Sequence, residues 1–180
     1  MAFRIEDGKG HGYAVEVTKD NRLRVYATTE MEASYESEVN EACFVWTFNY
    51  DHDAGDTIIL LKNEDQKRNL LIEHVSIALD VSSLVTIHSP SCATPAGTAV
   101  TGVNLNRKSG RAAAVICKQD ETSNSQGDIL DVRYIKGGEH TYNFDVKGMY
   151  VLGYGDCVAI DVTTAGTRVN GHILGYFHEA

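Results

Sequence analysis

At 180 residues and 19.7 kDa the chain can bury one good core, and it is too short for two ordinary domains plus an arm. A formal net charge of -9 weighs against a nucleic-acid partner, because such proteins neutralise phosphates with a surplus of Lys and Arg. No run approaches the ~18 apolar residues that span a bilayer, and no basic-then-apolar signal pattern opens the chain, so no membrane partner and synthesis in the cytosol are expected.

The first stretch, "IEDGKGHGYAVEVTKDNRLRVYATTE", is rich in glycine and charge and poor in residues to bury. Gly8, Gly10 and Gly12 cost the most backbone entropy on ordering, so the segment reads as an arm that needs a neighbouring surface. "NRLRVYA" sets Leu23, Val25 and Ala27 on one side and Arg22, Arg24 and Tyr26 on the other, a pattern that suits addition to a sheet edge. Residues 1–28 carry five basic and four acidic side chains, near +1 on an acidic chain. A first hairpin of the same domain is the competing reading. "TEMEASYESEVNEA" (29–42) repeats Met31, Tyr35 and Val39 at helical spacing, but its five glutamates without a cation suit an acidic linker equally well. The chain thus divides into an arm and linker, 1–42, and a body, 43–180.

From residue 43 the signal is period two. "CFVWTFNY" places Phe44, Trp46, Phe48 and Tyr50 on one face. An acidic hairpin turn, "DHDAGD", leads to the apolar run "TIILLKN" (57–63), and a polar hairpin tip, "NEDQKR", leads to "NLLIEHVSIALDV" (69–81), with Leu71, Val75, Ile77 and Leu79 alternating against His74 and Ser76. "LVTIH" (84–88) precedes a proline-punctuated loop, "SPSCATPAGTA", expected at a sheet edge or crossover. "AAAVICK" (112–118) is expected to be a strand followed by the loop "QDETSNSQGD". "ILDVRYI", "TYNFDV", "YVL", "CVAIDV" and "HILGYF" follow, with turns predicted at Gly137-Gly138, at Gly153 to Gly155, and at Asn170-Gly171 as a type I′ pair. Many short strands with glycine-rich turns indicate an all-β protein, a jelly-roll-like antiparallel β-sandwich with an extended N-terminal arm.

Chemistry is hard to find in this pattern. Seven histidines include no H-x-H pair of the cupin kind; His74 and His88 could meet on facing strands, but Glu73 alternates away from His74. Asp51, Asp53 and Asp56 lack the remaining ligands of a calcium loop. No G-x-S-x-G elbow or Walker loop is present, and Cys43, Cys92, Cys117 and Cys157 stand too far apart in sequence for a C-x-x-C site, so reduced, packed thiols are expected. The expectation is a non-enzyme with no catalytic residue, cofactor or metal.

The opening Arg4, Ile5, Asp7, Gly8, Gly10, Gly12, Tyr13 and Val17, then Asp20-Asn21-Arg22-Leu23 and Val25, followed by "LLKNEDQKRNLLIEHV", "GTAVTGVNLNRKSGRAA", "GYGDCVAIDV" and "ILGYF", resembles small structural proteins of tailed bacteriophages over essentially the whole chain. That resemblance implies a virion protein on the outer capsid surface, a decoration, cement or head-auxiliary subunit that is commonly trimeric, with the major capsid protein as partner. It implies manufacture in the host cytoplasm and an arm that orders on the capsid or on a neighbouring copy. The expected contact residues are Lys9, His11, Tyr13, Arg22, Arg24 and Tyr26. The alternatives are a cupin-like small-molecule or metal-binding enzyme, and a tail-associated glycan-binding module using "GGEHTYNF", in which Tyr142 and Phe144 are more simply core.

Overall fold

The structure, a computed structural model, describes residue 37 and residues 40–53, 57–91, 94–122, 125–138 and 141–179. Eleven strands occur among them: β1 (Cys43–His52), β2 (Thr57–Asn63), β3 (Arg68–Leu79), β4 (Ser83–Ser91), β5 (Thr98–Ala99), β6 (Val103–Asn104), β7 (Val115–Glu121), β8 (Ser125–Ile135), β9 (Thr141–Leu152), β10 (Cys157–Val162) and β11 (Thr167–Glu179). They form two antiparallel sheets, ordered β6-β1-β11-β3-β9 and β5-β7-β2-β10-β4-β8. The pairing is nested: β1 lies on β11, β2 on β10, β3 on β9 and β4 on β8. Rolled up, this long ribbon is the double Greek key of a jelly roll. The excursion between β4 and β8 adds β7 beside β2 and β6 beside β1.

Alternation fills the space between the sheets. Phe44, Trp46 and Phe48 of β1 are buried with Phe144, Ile173 and Phe177 from the same sheet, against Ile59, Leu61, Val85, Ile87, Val158 and Ile160 from the other. Phe144 and Val146 are core, with Tyr142 packed against them, as the alternation of "TYNFDV" predicts. On the far side of β2 and β10, Leu60, Cys157 and Ala159 form a second small buried group. Cys43, Cys117 and Cys157 are free thiols and buried, and burial pushes the Cys117 pKa up, so it stays protonated and inert.

Several expectations need correction. β1 and β2, and likewise β2 and β3, belong to different sheets, so "DHDAGD" and "NEDQKR" are crossings between layers, not hairpin turns. The second crossing is held by Asn63, fully buried, whose Nδ2 donates to the carbonyls of Arg68 (3.0 Å) and Leu152 (2.9 Å) while its Oδ1 accepts from the Asp65 N–H (2.9 Å). In β3 the core face is Leu70, Ile72, Val75, Ile77 and Leu79, and Leu71 is only half-buried. Glu73 has no partner between the pairs Ile72↔Gly175 and His74↔Leu174, and this bulge reverses the alternation.

Asn170-Gly171 is no turn, because both residues lie inside β11, between Asn49 and Phe48 of β1 and Ala78 and Ile77 of β3. A glycine is required there for closeness: a Cβ would sit 2.0 Å from the Ser76 carbonyl oxygen and 2.8 Å from Phe48 Cζ. The chain turns instead at 163–166, where Gly166 has φ +72°. Residues 119–121 and 125–128, expected in a loop, are strand, as are Ser89 to Ser91; Pro90 falls at the register irregularity where a ladder bond is missing.

Candidate interaction surface

β8 ends its sheet, so one edge pairs with β4 and no described strand pairs with the other. Its register is regular from Ile135↔Ser83 to Asp131↔Ile87, which sets Arg133 opposite Val85 and Tyr134 opposite Leu84. Val85 and Ile87 belong to the core, so Asp131 and Arg133 share the inner face, and Val132 and Tyr134 share the outer face with Leu84. On the inner side Arg133 bonds Asp131 (Nε to Oδ2 3.0 Å) and lies 4.7 Å from the Phe144 ring centroid, closing the mouth of the sandwich.

The apolar residues are the ones left in water. Tyr134 is 70% exposed, Ile129 58%, Val132 43%, Leu130 40% and Leu84 39%. Together they expose on the order of 500 Å² of mostly apolar surface, the size of the largest patch on an ordinary monomer. Burying half of it is worth roughly 6 kcal/mol before association costs, enough to matter in a contact.

Deeper on the same outer face, His88 of β4 is fully buried. Its Nε2 is 2.9 Å from Asp161 Oδ2 of β10, off the line of a hydrogen bond, and Thr57 Oγ1 of β2 donates to Asp161 Oδ1 at 2.8 Å. The Gly127 N–H donates to His88 Nδ1 at 3.3 Å, which puts a ring proton on Nε2. The contacts of His88, Asp161 and Thr57 join β4, β10 and β2, and the Gly127 bond to His88 Nδ1 adds β8.

His74 and His88 do not meet, because β3 and β4 lie in different sheets and each histidine is on the outer face of its own sheet, away from the shared core. His74 faces His172 of β11, ring centroids 5.6 Å apart; partial burial and the neighbouring His74 hold the His172 pKa below its ordinary value. Among the described residues no three His, Cys, Asp or Glu converge as metal ligands. A hollow of about 680 Å³ beside β7 is lined by Pro95, Gly102 and Val115, with Lys62, Glu64 and Lys118 as its charged side chains and Lys62 paired to Glu64 at 2.8 Å.

Lys9, His11, Tyr13, Arg22, Arg24 and Tyr26, the contact residues expected from sequence, lie outside the described residues. The β8 surface escaped sequence reasoning for a physical reason. "LDVRY" alternates apolar with charged residues as any half-buried strand does, and ordinary strands bury the apolar side. Only the topology, by putting β8 at an edge with Arg133 over Phe144, reverses the assignment. Compared with known protein families and with characterised proteins, the chain matches none.

Proposed function

We propose that this chain is a virion structural protein that binds the outer surface of a bacteriophage capsid and stabilises it as a decoration or cement subunit, with the major capsid protein as its partner. The likeness of its motifs to small phage structural proteins supports this reading. So does the jelly roll, an architecture that serves capsid and lectin domains as well as cupins, although fold alone does not decide function.

The observation that carries most weight is the exposed apolar edge of β8, a surface suited to burial against a protein neighbour, which on a decorated shell includes the capsid and other copies of this chain. A cement subunit needs no catalytic group, and many weak copies on one shell stiffen it collectively, each adding on the order of 800 Å² per partner. The arm, 1–28, with its near-neutral balance, is the second contact in this proposal.

The test is co-sedimentation of the purified chain with purified capsids of the same phage that lack it. Saturable binding at a fixed ratio to the major capsid protein, lost on deletion of residues 1–28 from a body that stays soluble and β-rich, supports the proposal. Absence of binding by the full chain refutes it, and aggregation of the truncated protein assigns the arm to the core.

A further inference from the structure

We infer that β8 is a self-complementary edge at which a second copy of this chain docks, the two β8 strands pairing antiparallel about a two-fold axis at Val132 and fusing two six-stranded sheets into one. This inference stands on the fold; it gives the β8 edge to a second copy, which leaves the arm, 1–28, as the direct capsid contact of the proposed function.

Among the described residues no strand covers this edge. Natural edge strands are blunted by Pro, Lys, bulges or a covering element, and residues 131–135 of β8 have a regular register, no Pro and no Lys. Among them stand the exposed side chains of Tyr134, at 70%, and Val132, at 43%. Two guards are present, the bulge at Leu130 next to this segment and the inward-pointing charge of Asp131 and Arg133, and the arrangement of the charge selects a partner instead of repelling all of them.

Antiparallel pairing centred on Val132 sets residue i of one copy opposite residue 264 − i of the other. Asp131 then faces Arg133 of the second copy, and Arg133 faces its Asp131. Each cross-strand pair lies on the inner face, next to the bond that Arg133 already makes to Asp131 within one chain, so four alternating charges close a ring. On the outer face Leu130 meets Tyr134 and Val132 meets Val132, opposing like with like in polarity.

Shifting the centre by one residue in either direction destroys this match. Centring on Asp131 opposes Asp131 to itself, and centring on Arg133 opposes two guanidinium groups, both unfavourable. An isologous contact of this kind closes at two copies, which suits a soluble chain better than an open-ended strand association. The exposed apolar area, on the order of 500 Å², is below the ~800 Å² per partner of a standard interface, which puts this contact among the weak, concentration-dependent ones.

The experiment uses the full chain. Light scattering coupled to size exclusion at about 100 µM should give twice the 19.7 kDa chain mass, falling toward one chain on dilution. Val132→Cys should form an intermolecular disulfide under mild oxidation, because the two Cα atoms at the axis lie within ordinary disulfide reach. Val103→Cys, exposed on the opposite side of the fold in β6, should not. Arg133→Asp should weaken the dimer about tenfold or more, since it opposes two acidic pairs at once, and adding Asp131→Arg to it should restore the dimer. A monomer or a trimer at that concentration overturns the inference, and so does a dimer that Val132→Cys fails to crosslink.

Discussion

Replacing Asn63 by aspartate changes no heavy-atom count, yet it reverses the hydrogen-bonding sense of the corner where the chain passes from one sheet to the other. Asn63 is fully buried and donates from Nδ2 to the Leu152 and Arg68 carbonyls at 2.9 and 3.0 Å. Aspartate puts an oxygen in that place, so two bonds worth about 1 kcal/mol each are lost and the buried Leu152 carbonyl goes unpaired at a further cost of about 1–3 kcal/mol. The expected loss at neutral pH is about 3–5 kcal/mol, a large share of the 5–15 kcal/mol typical of a domain. Burial raises the new carboxyl's pKa in the folded state, and a protonated carboxyl can donate to one carbonyl. The deficit against wild type should therefore be small at low pH and grow as pH rises through that raised pKa. Urea unfolding followed by Trp46, the single tryptophan and a core residue, reads the difference directly. A loss under about 1 kcal/mol at neutral pH, or one independent of pH, refutes the role assigned to this corner.

Gly171→Ala should destabilise the body by at least about 2 kcal/mol, because the added carbon would lie 2.0 Å from the Ser76 backbone oxygen and β11 cannot move off β3 without losing its ladder; a melting temperature within a degree of wild type contradicts this. His172 has its pKa held below the ordinary 6.5 by burial and His74, so the unfolded chain takes up that proton first as pH falls. Stability should decline from about pH 6.5 downward until folded His172 itself protonates, and His172→Gln should remove that step from the pH profile of urea midpoints. Arg22→Glu combined with Arg24→Glu should weaken capsid binding while lowering the melting temperature by no more than a few degrees; loss of folding would place this segment in the core.

The sheet content of this chain is written in its residues because alternation reports burial wherever one face is dry. Phe44, Trp46 and Phe48 announce β1, and "CVAIDV" announces β10, with little room for another reading. What local pattern does not carry is partnership. Nothing within "NEDQKR" distinguishes a hairpin from a crossing between sheets, since both need a short polar link, and the difference lies in β10 and β9, some ninety residues on. Asn170-Gly171 has hairpin chemistry, but the same absent Cβ also admits the close approach of β3, and the neighbour decides which use prevails. A single unpaired Glu73 was enough to move Leu71 off the core face. The β8 surface was hidden for the same reason: its residues look like half of a buried strand until the strand order leaves them at an edge.

The proposal that this chain serves as a capsid subunit is tested most directly by counting it in the particle. Virions purified by density gradient and quantified by mass spectrometry against the major capsid protein should contain hundreds of copies per DNA-filled head. A handful of copies would move the protein to the neck or tail, and its absence from purified particles would contradict the capsid role outright.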